Sequence, residues 1–497
     1  VTMLFSSLFA KTAEYEKLAH ALSAPGACAL FGLPGSGRAM VYAALAKETG
    51  RFLCIVTPGE AEATRFAGDL NALGIPTAVF PARDYVLRPI EGTAREYEYR
   101  RLSVLGDIVG GRLQAVCVPD EGLTQYTTPR AEFCNNTRTL HPGDTVPRTE
   151  LTALLYNAGY ARRAQVDGPG QFSIRGDIVD LYAPDMKLPV RMEFWGDEID
   201  TMHTFDLATQ RREDPIEKIY VSPAREVLFG SPAEAAELLR ACIKKFRGKK
   251  RTALEACLAT ELAQLDGGAL PVNMDKYLAV RYPQPATLLD YFDDPLLVLE
   301  EPASLREAER ATTYRRGEEI SALLQDGVLA AGLDNLYAEN GYLWAQAANH
   351  RTICAENFAR SMPDIPLKDI VNAPAHTLPA WGGEVTSLLE DLQPLCNGGA
   401  AVTVLAGTQR AAAGLAADLR TKGLLVTTDP DAAPGAGLVQ VLPGQLCAGC
   451  SVPFAKYALF TARAFGISST QKKKKRNKDA LNSLSEIAVG DLVVHQN

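Results

Sequence analysis

Residues Gly32-Leu-Pro-Gly-Ser-Gly-Arg-Ala39 lie between a short apolar run, Ala27 to Phe31, and a helix-like stretch beginning at Met40. A buried-type strand, a Gly-rich turn and a helix in that order commit a chain to parallel strands covered by helices. The spacing is that of a phosphate-binding loop. Such a loop cradles phosphates with backbone N–H groups, reaches the outer phosphates with Lys and holds Mg²⁺ through a Ser/Thr hydroxyl. Here Gly32, Gly35 and Gly37 keep the turn, but Arg38 stands at the Lys position and Ala39 at the hydroxyl position. Ala39 has no oxygen to give a metal. The planar fork of Arg38 is bulkier than the ammonium such a cradle accepts. The loop is expected to survive as a strand-to-helix turn without nucleotide chemistry, keeping at most the anion affinity of a helix start.

A second acidic motif points the same way. The apolar run from Leu296 ends in Glu300-Glu301, where an active motor ends the strand in Asp-Glu. Glu300 is one methylene too long to place the carboxylate that organises Mg²⁺ and its water.

At 497 residues the chain exceeds what one hydrophobic core serves, so several domains are expected. The net charge of −8 excludes a protein that coats nucleic acid with its whole surface. The ten cysteines are scattered, most within apolar runs, as in reduced cytosolic proteins. Cys447 and Cys450 have ligand spacing but no second pair or His cluster, so no metal site is expected. No run reaches the ~18 apolar residues of a membrane helix, and no secretory signal opens the chain, so a cytoplasmic location is expected. No Ser/His/Asp order suggests hydrolysis, and no catalytic residue is assigned.

Along the chain, Phe52 to Val56, a helix through Leu70 and Thr77 to Phe80 continue the parallel pattern. Phe66 to Ile75 resembles Leu415 to Leu424, hinting at a second α/β unit. Between them the grain changes. Gln171 to Leu181 and Val190 to Phe205 alternate apolar and polar residues, as antiparallel strands do. Val190, Met192 and Phe194 are expected on one face with Arg191, Glu193 and Trp195 on the other. Phe172, Ile174 and Ile178 are expected opposite Arg175. An outward Trp among polar neighbours has no reason to be there for packing, and Trp and Arg are the residue types richest in interface hot spots. Residues 233–245 and 251–265 read as amphipathic helices. Gln471 to Lys478 is a basic block typical of a solvated tether, leading to Val489-Gly-Asp-Leu-Val-Val-His495.

Three stretches carry a resemblance: Gly168-Pro-Gly-Gln-Phe-Ser-Ile-Arg-Gly-Asp, Pro189-Val-Arg-Met-Glu-Phe-Trp-Gly-Asp-Glu and Thr204-Phe-Asp with Thr209-Gln-Arg. Supporting pieces are Phe80-Pro-Ala-Arg-Asp-Tyr, Arg95-Glu-Tyr-Glu-Tyr-Arg-Arg-Leu, Leu288-Leu-Asp-Tyr-Phe and the terminal Val-Gly-Asp-Leu-Val-Val-His. Together they resemble the bacterial transcription-repair coupling factors, the Mfd family, in their UvrB-like amino-terminal module. UvrB, a DNA helicase/NTPase of excision repair, is the competing relative; it needs an intact phosphate loop and an aromatic DNA-gripping hairpin, neither of which is present.

The resemblance implies an α/β multidomain protein. A degenerate helicase-like parallel-sheet domain (1–120 and 211–342) is interrupted by an antiparallel α+β insert (121–210). A second α/β domain (343–465), a basic linker (466–480) and the start of an RNA-polymerase-interacting domain (481–497) follow. It implies that Arg175, Arg191 and Trp195 bind UvrA, with Trp standing where Phe is common in the family. It also implies no cofactor in this portion. ATP and Mg²⁺ serve a motor beyond Asn497 that acts on duplex DNA behind stalled RNA polymerase.

Overall fold

The computed structural model describes residues 9, 12–88, 95–271, 273–362 and 365–462. The basic block at 471–478 and the segment ending in His495 lie outside them. Strands are numbered β1 to β21 in chain order.

The first α/β unit is a parallel sheet of β1 (Gly26–Phe31), β2 (Leu53–Thr57), β3 (Thr77–Val79), β4 (Ala115–Pro119), β13 (Leu296–Glu300), β14 (Arg351–Glu356) and β15 (Leu367–Asn372). Its spatial order is β15-β1-β14-β13-β2-β4-β3, with every pairing parallel. The central strands are buried along their whole length, which is why they read as unbroken apolar runs. The sheet continues past the boundary expected at 342, because β14 and β15 lie on either side of β1. The second α/β unit therefore begins near His376 rather than at 343.

The insert also differs from its expected limits of 121–210. The short helices Asp120–Thr124 and Arg130–Asn135 send Leu123 and Phe133 into the core of the parallel sheet. A separate apolar core runs from Leu140 to Ala224. Over it lies the sheet β11-β10-β9-β8-β7-β6: β6 (Ala161–Arg162), β7 (Gln171–Arg175), β8 (Ile178–Tyr182), β9 (Val190–Trp195), β10 (Glu198–Phe205) and β11 (Arg212–Pro215). A two-strand ladder of β5 (Arg138–Leu140) and β12 (Ile219–Val221) closes the insert. Helices Pro232–Lys244 and Gly248–Asp266 then form part of a third core with Leu278, Leu333 and Leu336.

The last sheet has the order β16-β20-β21-β17-β19-β18, built from β16 (His376–Leu378), β17 (Ala401–Leu405), β18 (Leu425–Thr427), β19 (Leu438–Leu442), β20 (Gly449–Val452) and β21 (Tyr457–Thr461). The sequence repeat has a topological counterpart. In each unit a strand (β2, β17) leads to a helix (Glu60–Ala72, Gln409–Thr421) and, through a left-handed glycine (Gly74, Gly423), to an edge strand (β3, β18). In each, one later strand (β4, β19) sits between the pair. Leu446, Cys450 and Leu459 of the last unit share a core with Cys28, Ile55 and Val298 of the first.

Asp120, at the end of β4, is only 2% exposed, and its Oδ1 has no hydrogen-bond partner among the described residues. Burial, reinforced by Glu309 and opposed by Arg316, pushes its carboxyl up to about 7. The folded state then holds a proton that the unfolded chain releases near pH 4, so stability falls as pH rises from about 4 to 7. Asp120→Asn is expected to raise stability by roughly 1–3 kcal/mol at pH 8 and to change it little at pH 4.5. Urea melts at the two pH values check this; equal gains at both would contradict it.

Candidate functional site

On the insert, the hairpin β7–β8 turns through Gly176 and Asp177, so Arg175 pairs directly with Ile178 and Ile174 with Val179. Paired residues share a face. Ile178 therefore sits on the Arg175 side, not opposite it as the parity reading expected. Register carries that face across the sheet: Asp180 is opposite Arg191, and Ile178 is opposite Glu193. Val190, Met192 and Phe194 point into the core as expected.

The two expected arginines meet on one carboxylate. Asp180 is fully buried. It accepts from Arg175 Nη2 at 2.6 Å, and from Arg191 Nε and Nη2 at 2.7 and 2.9 Å. The Arg191 fork is thus bidentate, the stronger and more directional form of the contact. Its guanidinium also lies 4.7 Å above the Phe205 ring and donates to the Gln210 carbonyl at 3.2 Å. The hydrogen bonds to Asp180 raise its pKa further, so the charge is fixed. Beside it, Glu193 pairs with Arg212. Trp195 ends β9 before the left-handed Gly196 and is 83% exposed. The face therefore combines a half-exposed guanidinium, a mostly covered one locked in orientation and a large apolar side chain left in water. Asp180 escaped the sequence reading: the available signal was an Asp between Val179 and Leu181 in a strand, but simple parity put it on the side opposite Arg175 until the turn at Gly176-Asp177 resets the register.

The phosphate-loop residues come together differently. Arg38 is 2% exposed and curls back over its own turn. Its Nε donates to the Leu33 carbonyl at 2.9 Å, Nη1 to Glu300 at 2.5 Å and Nη2 to Glu301 at 2.7 Å. Tyr42, one helical turn on, donates to the other Glu300 oxygen at 2.6 Å. Burial raises the Glu300 pKa, with Arg38 and Tyr42 acting against that rise. Burial also opposes the charge on Arg38, but Glu300 and its neighbours outweigh it and hold the guanidinium firmly protonated.

The helix start is covered as well. Ser36 donates to Asp69 at 3.0 Å, the Cys447 amide donates to the same carboxylate at 2.8 Å, and the Ala448 amide donates to the Ser36 oxygen at 3.3 Å. A Cβ on Gly37 would lie 3.0 Å from the Cys450 sulfur, so any larger residue would force that side chain of β20 back by a few tenths of an ångström. Ala39 is buried against the core. Gly32 and Gly35 complete the turn, Gly32 at φ +89 where the chain passes Pro374. Cys447, Ala448 and Cys450 of the last unit thus pack against the start of this helix.

A third cluster joins the parts. Arg101 donates to Glu226 through Nε at 2.7 Å, and Arg83 Nε lies 3.2 Å from the same carboxylate. Arg83 also grips Asp275 with two hydrogen bonds of 2.8 and 3.0 Å. All four residues are at most 5% exposed. Burial pushes Asp275 up, yet the Arg83 charge outweighs it and holds the carboxyl below its ordinary value. Arg83 and Arg101 were quoted within sequence motifs, but their partners are distant in sequence and carried no local signal.

Among the described residues no helix is long and apolar enough to cross a membrane, and no group of three or more His, Cys, Asp or Glu has metal-holding geometry. Residues 139–227 match the family described as UvrB interaction domain, nearly the limits of the insert core. The chain is 26% identical over 484 residues to the transcription-repair-coupling factor of Bacillus subtilis (strain 168), covering 94% of this chain and 41% of that protein. The corresponding proteins of Staphylococcus haemolyticus (strain JCSC1435) and Staphylococcus aureus (strain MRSA252) are 24% and 23% identical, each covering 93% of this chain. The chain spans about two fifths of the length of these relatives. It thus holds a segment similar to the UvrB interaction domain and is similar along nearly its whole length to the transcription-repair-coupling factors.

Proposed function

We propose that this chain is the amino-terminal, UvrA-recruiting part of a transcription-repair coupling factor, acting by binding and not by catalysis. One observation carries the reading: the segment matching the UvrB interaction domain displays Arg175 and Arg191, oriented by the buried Asp180, next to the 83%-exposed Trp195. Preorganised guanidinium groups lose little freedom on binding, and an indole already in water gains from being covered. The filled phosphate loop supports the non-catalytic part of the reading, since Arg38, Ser36 and Gly37 are all engaged within the protein. ATP, Mg²⁺, duplex DNA and RNA polymerase belong in this reading to parts of a longer cytoplasmic protein, with the translocase motor following Asn497.

The test is binding of purified UvrA. Trp195→Ala is expected to weaken binding by ~2 kcal/mol or more, about thirtyfold. Arg191→Ala should also weaken it. Asp180→Asn should give a partial loss, because it frees the guanidiniums without removing them. Undiminished binding in both Trp195→Ala and Arg191→Ala would overturn the site assignment, and ATP turnover stoichiometric with this chain would overturn the non-catalytic reading.

A further inference from the structure

The connection between helices Pro232–Lys244 and Gly248–Asp266 reads Lys244-Lys-Phe-Arg-Gly-Lys-Lys-Arg251. Six of these eight residues are basic, in a chain whose net charge is −8. All six are exposed. The acidic partner found for the group is Glu255, which takes Arg251 at 2.8 Å.

The placement runs against the electrostatics of the helix it begins. A helix amino terminus carries partial positive charge and open N–H groups, and favours Asp or Glu in its first turn and a side-chain cap. The helix from Gly248 has no acidic residue in its first turn and no side-chain cap, and Lys249, Lys250 and Arg251 stand in that turn. By contrast, the neighbouring helix from Pro232 is capped by Ser231 and has Glu234 in its first turn. Other helices of this chain, such as Pro302–Gln325 and Val385–Asn397, also lack a cap and an acidic first turn. What sets this one apart is three exposed cations in that turn, a placement that costs the helix and marks a surface whose charge serves something outside the fold.

The turn is fixed rather than loose. Phe246 lies inward against Gly332, whose φ of +100 and missing Cβ admit the ring; a Cβ there would be 2.6 Å from the Phe246 Cζ. With the turn's one aromatic side chain turned inward, the exposed surface offers cations and helix-start N–H groups but no platform on which unpaired bases could stack.

We infer that this basic turn is a docking point for the phosphate backbone of duplex DNA, read without sequence preference. Duplex DNA presents one charge per ~1.7 Å of axis, a dense anionic partner for six exposed cations within eight residues. The contact is separate from the insert face and does not depend on UvrA binding.

The experiment is fluorescence anisotropy with a labelled duplex oligonucleotide across a salt series, comparing the full chain with Lys245→Ala/Lys249→Ala/Lys250→Ala. Losing three phosphate contacts should reduce the slope of log K against log salt by roughly 2.7 and weaken binding at least tenfold at low salt. The basic block at 471–478 is present in both proteins, so the difference isolates the turn. Thermal melting should show a Tm for the variant equal to or above that of the wild type, since two of the removed charges oppose the helix dipole. UvrA binding should be unchanged. An unchanged salt slope would overturn the inference, as would tighter binding to single strands or to vesicles of mixed phosphatidylcholine and phosphatidylglycerol than to the duplex.

Discussion

Glu226→Ala is expected to remove about 3–5 kcal/mol of stability, a large share of the margin of an ordinary domain. The carboxylate is fully buried and stands between two buried guanidiniums, with Arg101 Nε at 2.7 Å and Arg83 Nε at 3.2 Å. Arg83 keeps Asp275 when Glu226 is lost. Arg101 keeps neutral acceptors, the Pro81 carbonyl and the Gln125 side chain at 3.1 Å each, and the face of Phe80 at 4.1 Å, but no close carboxylate. A buried cation whose counter-ion has been deleted costs far more than the intact pair contributes. The sign of the double variant tests that argument. Arg101→Met/Glu226→Met should recover more than half of the loss, because a well-packed apolar pair replaces a buried ion pair at little cost. Urea denaturation of the wild type, Arg101→Met, Glu226→Met and the double variant gives the coupling energy, expected at about 2 kcal/mol or more. Additive losses would show that the pair is not what holds this junction.

The same cluster shows where sequence reading reaches and where it stops. The strand, loop and helix at Ala27 to Lys47 were legible because their pattern is local: an apolar run, glycines and a helical stretch within about twenty residues. So were the inward residues of β9, since parity fixes them once the strand is known. The error at Ile178 came from the same rule applied across a turn, where the two-residue link Gly176-Asp177 resets parity and pairs Arg175 with Ile178. Strands β14 and β15 were misplaced for another reason. A parallel strand's partner is far off in sequence, and Gly26 pairs with Arg351 without any local mark of it. The buried carboxylates Asp180, Glu226 and Asp275 were missed because a charged residue in a sequence reads as surface until its partner is known.

Arg38→Ala tests in one measurement the two departures read from the sequence, the arginine in the loop and the glutamate in the acidic motif. Read separately, the arginine in the loop and the glutamate in the acidic motif were two departures from a working site; in space they are each other's partner at 2.5 Å. The longer Glu300 reaches the longer Arg38, and Tyr42 takes the second carboxylate oxygen at 2.6 Å. Removing the guanidinium leaves Glu300 buried with Tyr42 alone, and the expected cost is about 3–5 kcal/mol at pH 8. The pH dependence separates this from a loss of apolar contact. Burial already raises the Glu300 pKa against the pull of Arg38, so the variant's folded state should bind its proton more tightly still. Relative to wild type, the deficit of Arg38→Ala should therefore grow as pH rises through and beyond the wild type's own raised Glu300 pKa, and shrink below it, where both folded states already hold the proton. Glu300→Gln placed in the Arg38→Ala background should restore part of the loss at pH 8 and little at pH 5. Arg38→Lys should not rescue, because one ammonium cannot reach Leu33, Glu300 and Glu301 together as the fork does. Urea melts of the four proteins at the two pH values decide the matter; a deficit for Arg38→Ala that is the same at both would mean that Arg38 fills space at this site and does not neutralise it.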